Sequence, residues 1–117
     1  METIYLQLYS LGQYGQEHPM PECLETVAKM GYDGVEFAGN NYGGLSAADL
    51  VAELKKNNLG CRSVHLSMDQ IVPALPYLKE VGVQYAIVAM HAFSNEEEIL
   101  DCARQLNEAG NEAAKYG

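Results

Sequence analysis

The sequence predicts an α/β fold of four consecutive β/α units whose strands join one parallel sheet in the order 1-2-3-4. Four short apolar runs rich in β-forming residues recur, at Ile4 to Leu8, Gly34 to Ala38, Cys61 to Leu66 and Tyr85 to Met90, and helical periodicity follows each of them. This alternation implies βαβ crossovers and a parallel sheet, expected to be buried by its helices on both faces. The strand-to-strand spacing fits the unit of a (β/α)8 barrel better than that of a regular repeat protein, and the four units differ too much for a solenoid.

The first helix is predicted to begin near Pro21, where a missing backbone donor is harmless, to carry Leu24, Val27 and Ala28 on one face and to stop at Gly31. For the second, Ser46 is an N-cap with Asp49 three residues on, and Leu45 and Leu50 occupy staple positions. Its inner stripe is Leu50, Val51 and Leu54, and Asn57-Asn58-Leu59-Gly60 supplies residues that tolerate a left-handed helix end. Pro73 and Pro76 each lack an amide donor, so the third helix is expected to be broken or to start late, at Pro76, and to end at Gly82. Ser94 and Glu97 form a capping-box pair for a fourth, longest helix with Leu100, Ala103, Leu106 and Ala113 inward, running to Gly117.

At 117 residues the chain is long enough for one core, and no proline-rich, serine-rich or charge-block linker divides it, so residues 1–117 read as a single domain. With 48% hydrophobic and 20% charged residues, the composition is that of an ordinary globular protein. The formal net charge of -9 opposes phosphate backbones, which excludes nucleic acid as an expected partner. No apolar run spans a bilayer, and Met1 to Leu11 lacks a signal peptide's basic start and apolar stretch, so a cytoplasmic protein without membrane partners is expected. Cys23, Cys61 and Cys102 show no C-x-x-C spacing and are expected to be reduced, buried thiols.

Leu6-Gln7-Leu8-Tyr9-Ser10 and Val27-Ala28-Lys29-Met30-Gly31-Tyr32-Asp33-Gly34-Val35-Glu36 resemble the first two units of the sugar phosphate isomerase/epimerase (xylose isomerase-like) family. Tyr42-Gly43-Gly44-Leu45-Ser46-Ala47, Ser63-Val64-His65, Leu106-Asn107-Glu108-Ala109-Gly110 and Tyr116-Gly117 extend the resemblance over nearly the whole chain. It implies the amino-terminal half of a TIM (β/α)8 barrel. It also implies a divalent metal, Mn, Co, Mg or Zn, in the complete barrel and proton transfer beside a sugar carbonyl. In that family the metal-binding and acid/base carboxylates lie mainly on later strands, and the chain stops at Gly117, where a fifth strand would begin. No metal ligand or catalytic residue is therefore carried over, and the chain alone is expected to be inactive.

The working face of such a barrel is the carboxyl end of its strands, which nominates Gln7, Tyr9, Glu36, His65 and His91 as substrate-binding residues. Glu36 interrupts Gly-Val-Glu-Phe-Ala in a strand that should be buried, where an unpaired carboxylate is costly. It would accept hydrogen bonds from sugar hydroxyls; the plain alternative is a carboxylate satisfied by a neighbouring strand. His65 ends the third strand and is either a polar substrate contact or a histidine satisfied within the core. His91 follows the fourth strand. With His65 it would make two ligands of a metal site, but no third is evident. Tyr9 and Gln7 share a strand face and would line the same mouth.

Three functional classes follow. The first is a metal-dependent sugar or sugar-phosphate isomerase/epimerase, for which this chain supplies substrate-facing residues. The second is a non-catalytic half-barrel whose first and fourth strands are open edges, which implies a homo-oligomer. The third, from the same superfamily, is an abasic-site endonuclease with zinc on His65 and His91, which the acidic balance disfavours.

Overall fold

The computed structural model describes residues 2–117. Its four strands, β1 (Tyr5–Gln7), β2 (Gly34–Ala38), β3 (Gly60–Leu66) and β4 (Tyr85–Val88), form one sheet in the order β1-β2-β3-β4. Every neighbouring pair is parallel. A 3-10 turn (Leu8–Leu11) and a short helix α1 (Gln13–Glu17), neither signalled by periodicity, precede α2 (Met20–Lys29). The remaining crossovers are α3 (Ala47–Lys56) and α4 (Met68–Val81), and α5 (Glu96–Ala114) closes the order.

Alternation along β2 sends Val35 and Phe37 into the core, 0% and 1% exposed, where they meet Leu24 and Val27 of α2, Leu50 and Leu54 of α3, and Ile71, Leu75 and Leu78 of α4. Burying each such side chain stabilises the fold by about 1.5–3 kcal/mol. The helices cover this face only. The other carries Gln7, Glu36, Ser63 and His65, all partly exposed, and Tyr85, which is 64% exposed. The expectation of a sheet buried by helices on both faces is thus corrected: helices on one side fit the outer layer of a barrel, whose inner face is lined by side chains instead.

Helix α2 ends before Gly31, at φ 91, and α3 is capped by Ser46, whose Oγ accepts from the Asp49 N–H at 3.1 Å. Helix α4 does not start late. It begins at Met68, with Gln70 Oε1 accepting from the Ser67 N–H at 3.0 Å, and runs through both prolines to Gly82 in the left-handed region. Pro73 and Pro76 remove the donors that would reach the carbonyls of Asp69 and Val72. Both of those residues are exposed, on the side of the helix away from the core, while Ile71, Leu75 and Leu78 hold the inner face.

Helix α5 is capped one residue later than its sequence suggests, by Asn95, whose Oδ1 accepts from the Glu98 N–H at 2.9 Å. Its buried residues are Cys102 and Ala109, whereas Leu100 and Leu106 are 63% and 44% exposed. Of the expected stripe, Leu100, Ala103 and Leu106 point away from the core and only Ala113 packs against it, because α5 leans on α4. The cysteines are free; Cys23 and Cys102 are buried and Cys61 partly so. Among the described residues no helix is long and apolar enough to cross a membrane.

Candidate functional site

Two glycines set the floor of the open face. A side chain at Gly34 would lie 2.5 Å from the Gly60 carbonyl oxygen and 2.6 Å from the Tyr5 ring, so their absence lets Tyr5 lie flat across β2 and β3. The Arg62 guanidinium sits 5.6 Å from the centre of that ring.

Above this floor the register slips. Val35 pairs with Cys61 but Phe37 pairs with Val64, so Arg62 and Ser63 of β3 stand opposite the single Glu36 of β2. Such a bulge reverses the phase of the strand beyond it. Val64 and Leu66 turn into the core, and Ser63 and His65 turn to the open face beside Glu36.

Three of the residues nominated from sequence meet there. The Gln7 amide donates to Glu36 Oε1 at 2.7 Å and lies 2.9 Å from His65 Nδ1, while His65 Nε2 is 3.2 Å from Glu36 Oε1. The network assigns the tautomer. With Gln7 spending one N–H on each partner, Nδ1 accepts, and the proton is left on Nε2, which lies in contact with Glu36. The Ser63 hydroxyl donates to the second carboxylate oxygen. Glu36 is therefore satisfied by donors from both neighbouring strands, and its side chain is 19% exposed against 31% for His65.

A hollow of about 430 Å³ opens directly over the pair, lined by Gln7, Tyr9, Ala38, Gly39, His65, Leu66, Ser67, Ala89 and Met90. It lies in the size range of small-ligand sites. Glu36 does not line it: the carboxylate sits below and holds Gln7 and His65 in place. Tyr9, 80% exposed in the 3-10 turn rather than on the strand, stands between this hollow and a neighbouring one of about 620 Å³. His91 is not brought in. It is exposed, its ring 5.3 Å from that of Phe93.

Ser63 shares the face of His65 by strand alternation, but it lies before the strand end and was not nominated from sequence; its bond to Glu36 depends on the bulge at Arg62 and Ser63. Ser67 follows β3 and doubles as the N-cap of α4. As for a metal, no three His, Cys, Asp or Glu side chains converge among the described residues. Glu36 and His65 offer two donors already bonded to each other, which does not make a divalent-metal site.

No protein-family model and no curated protein sequence matches the chain. Among solved structures it is similar to a sugar phosphate isomerase/epimerase from Parabacteroides distasonis ATCC 8503, with a TM-score of 0.83 at 20% sequence identity. The likeness covers 100% of this chain and 52% of that one, so the chain spans about half the length of the protein it matches. The fold is one half of a TIM-type barrel. In that half-barrel Gln7, Glu36, Ser63 and His65 face the interior, and the hollow lies at the carboxyl end of the strands, where such barrels work.

Proposed function

We propose that the chain is the substrate-facing half of a sugar or sugar-phosphate isomerase/epimerase. One observation carries this: Gln7 and His65, held in a single orientation by Glu36, line a hollow at the carboxyl end of the parallel strands. The Gln7 amide oxygen and the Tyr9 hydroxyl are left to meet a polyol, because both Gln7 N–H groups are spent on Glu36 and His65, the His65 ring nitrogens face Gln7 and Glu36, and the Ser67 hydroxyl donates to Asp69. Glu36 acts as a positioning residue beneath them. Any divalent cation would take its ligands from outside this chain, so no chemical step is assigned to these residues, and the isolated chain is not expected to epimerise a ketose.

Titration of the isotopically labelled chain with a neutral ketohexose such as D-fructose, followed by NMR, tests this reading. Resonances of Gln7, His65 and Ser67 should move together, and His65→Ala should weaken binding by about tenfold, the loss of one or two hydrogen bonds. Equal affinity for the variant and the parent would remove His65 from the site.

A second reading is favoured by a separate observation. Strands β1 and β4 are the sheet's two edges, and Tyr85 and Ile87 stand 64% and 38% exposed on the inner face of β4. Exposed edges invite pairing, and two copies would complete an eight-stranded circuit. Light scattering should show a mass near twice 12.8 kDa at high concentration; a monomer throughout would count against self-association.

A further inference from the structure

The polarity of the helices determines where this molecule carries its charge. Each crossover helix runs from the mouth of the half-barrel back to its floor, so first turns lie at the mouth and last turns at the floor. Acidic residues occupy the first turns: Glu22 in α2, Asp49 in α3, Asp69 in α4, and Glu96, Glu97 and Glu98 in α5. Basic residues occupy the last: Lys29, Lys55, Lys56 and Lys79, with Lys115 at the C-cap of α5. The pattern complements the helix dipoles. The last turns carry Glu53, Glu80 and Glu112 as well, with Lys56 and Lys115 paired to two of them, so what sets the mouth apart is that its first turns hold acids and no bases.

Two cations of the seven remain. Arg62 lies on the floor over Tyr5, and Arg104 is paired with Asp101 and Glu108 in the middle of α5. Among the described residues no Lys or Arg lines the hollow over Gln7 and His65, and the only charged residue lining its larger neighbour is Glu17. Helix N-termini bind phosphate where their amides are free; at the mouth Ser46, Gln70 and Asn95 each engage one amide of α3, α4 and α5, α2 has no side-chain cap, and all four first turns carry acidic side chains.

We infer that this site takes a neutral polyhydroxy sugar and discriminates against the phosphate ester of the same sugar. The inference rests on the sugar-site reading above and narrows it. The hollow's lining is uncharged, with Gln7, Tyr9 and Ser67 beside the apolar Ala38, Leu66, Ala89 and Met90, and a dianionic group entering it would meet acidic first turns with no cation to pair with.

The test is a pair of titrations of the full chain at pH 8, where histidine is ordinarily neutral: D-fructose against D-fructose 6-phosphate, with inorganic phosphate as a third probe. The neutral sugar should bind at least about fivefold more tightly than its ester, and the gap should shrink at roughly 0.5 M salt as the acidic first turns are screened. Met90→Lys, which places a cation beside the hollow at an exposed residue with no assigned role, should narrow or reverse it. An ester that binds as well as the neutral sugar, or inorganic phosphate that shifts the same resonances, would overturn the inference and leave the sugar site standing. Failure of both sugars to bind would overturn the sugar site itself, and the inference with it.

Discussion

Strands β2 and β3 lie in the middle of the sheet, with a strand on either side and helices across their outer face, and Val35, Phe37 and Val64 are essentially inaccessible. Strand β4 is apolar throughout and helix α5 is amphipathic, yet Tyr85, Ile87, Leu100 and Leu106 remain exposed. The difference is one of neighbours. An interior β/α unit buries its apolar residues against the units before and after it, whereas β4 has a strand on one side only and α5 packs chiefly on α4. Amphipathicity therefore records how many neighbours a segment is built for, while burial records how many it has.

The largest effect expected from this contrast is on stability. Phe37→Ala should cost about 3–5 kcal/mol in denaturant unfolding, because the ring fills a site closed by three helices. Leu106→Ala, in the same experiment, should cost less than about 0.5 kcal/mol. Comparable losses for the two would mean that α5 packs as tightly as the centre of the sheet.

A smaller effect concerns alkaline pH. Burial, with the Glu36 carboxylate nearby, pushes the Cys61 thiol from 9.0 up to about 12, and burial pushes Tyr42 from 10.0 to about 12. Between pH 9 and 12 the unfolded thiol ionises while the folded one keeps its proton. The folded state then binds more protons, and stability falls as pH rises, by roughly 1 kcal/mol at pH 10 for Cys61. Cys61→Ala should flatten that decline, leaving the part due to Tyr42; an equally steep loss in the variant would show that the thiol is not the cause.

Much of the architecture was legible from residue order. Gly34 to Ala38 is β2 as expected, and the Ser46 cap and the Gly82 stop stand where their local chemistry places them. These features are decided within a few residues. The start of α4 was not legible, because two prolines outweigh a cap in any local count, while the burial of Ile71, Leu75 and Leu78 that carries the helix through them is a tertiary fact. The inner face of α5 was misjudged for a related reason: its sequence offers more than one apolar stripe, and only contact with α4 selects Cys102 and Ala109. Of the site, Gln7, Glu36 and His65 could be named from strand ends. Their mutual hydrogen bonds, the separation of His91 and the part played by Ser63 could not.

By itself the sequence determined the alternation of strands and helices, hence a parallel sheet, and the caps and stops of those helices, hence their bounds. Both are local, written in periodicity and capping. Which side of β3 faces the interior was decided only by pairing. Alternation has two phases, and the Arg62–Ser63 bulge, which exists only in register with Glu36, switches from one to the other and brings His65 to the site instead of Leu66.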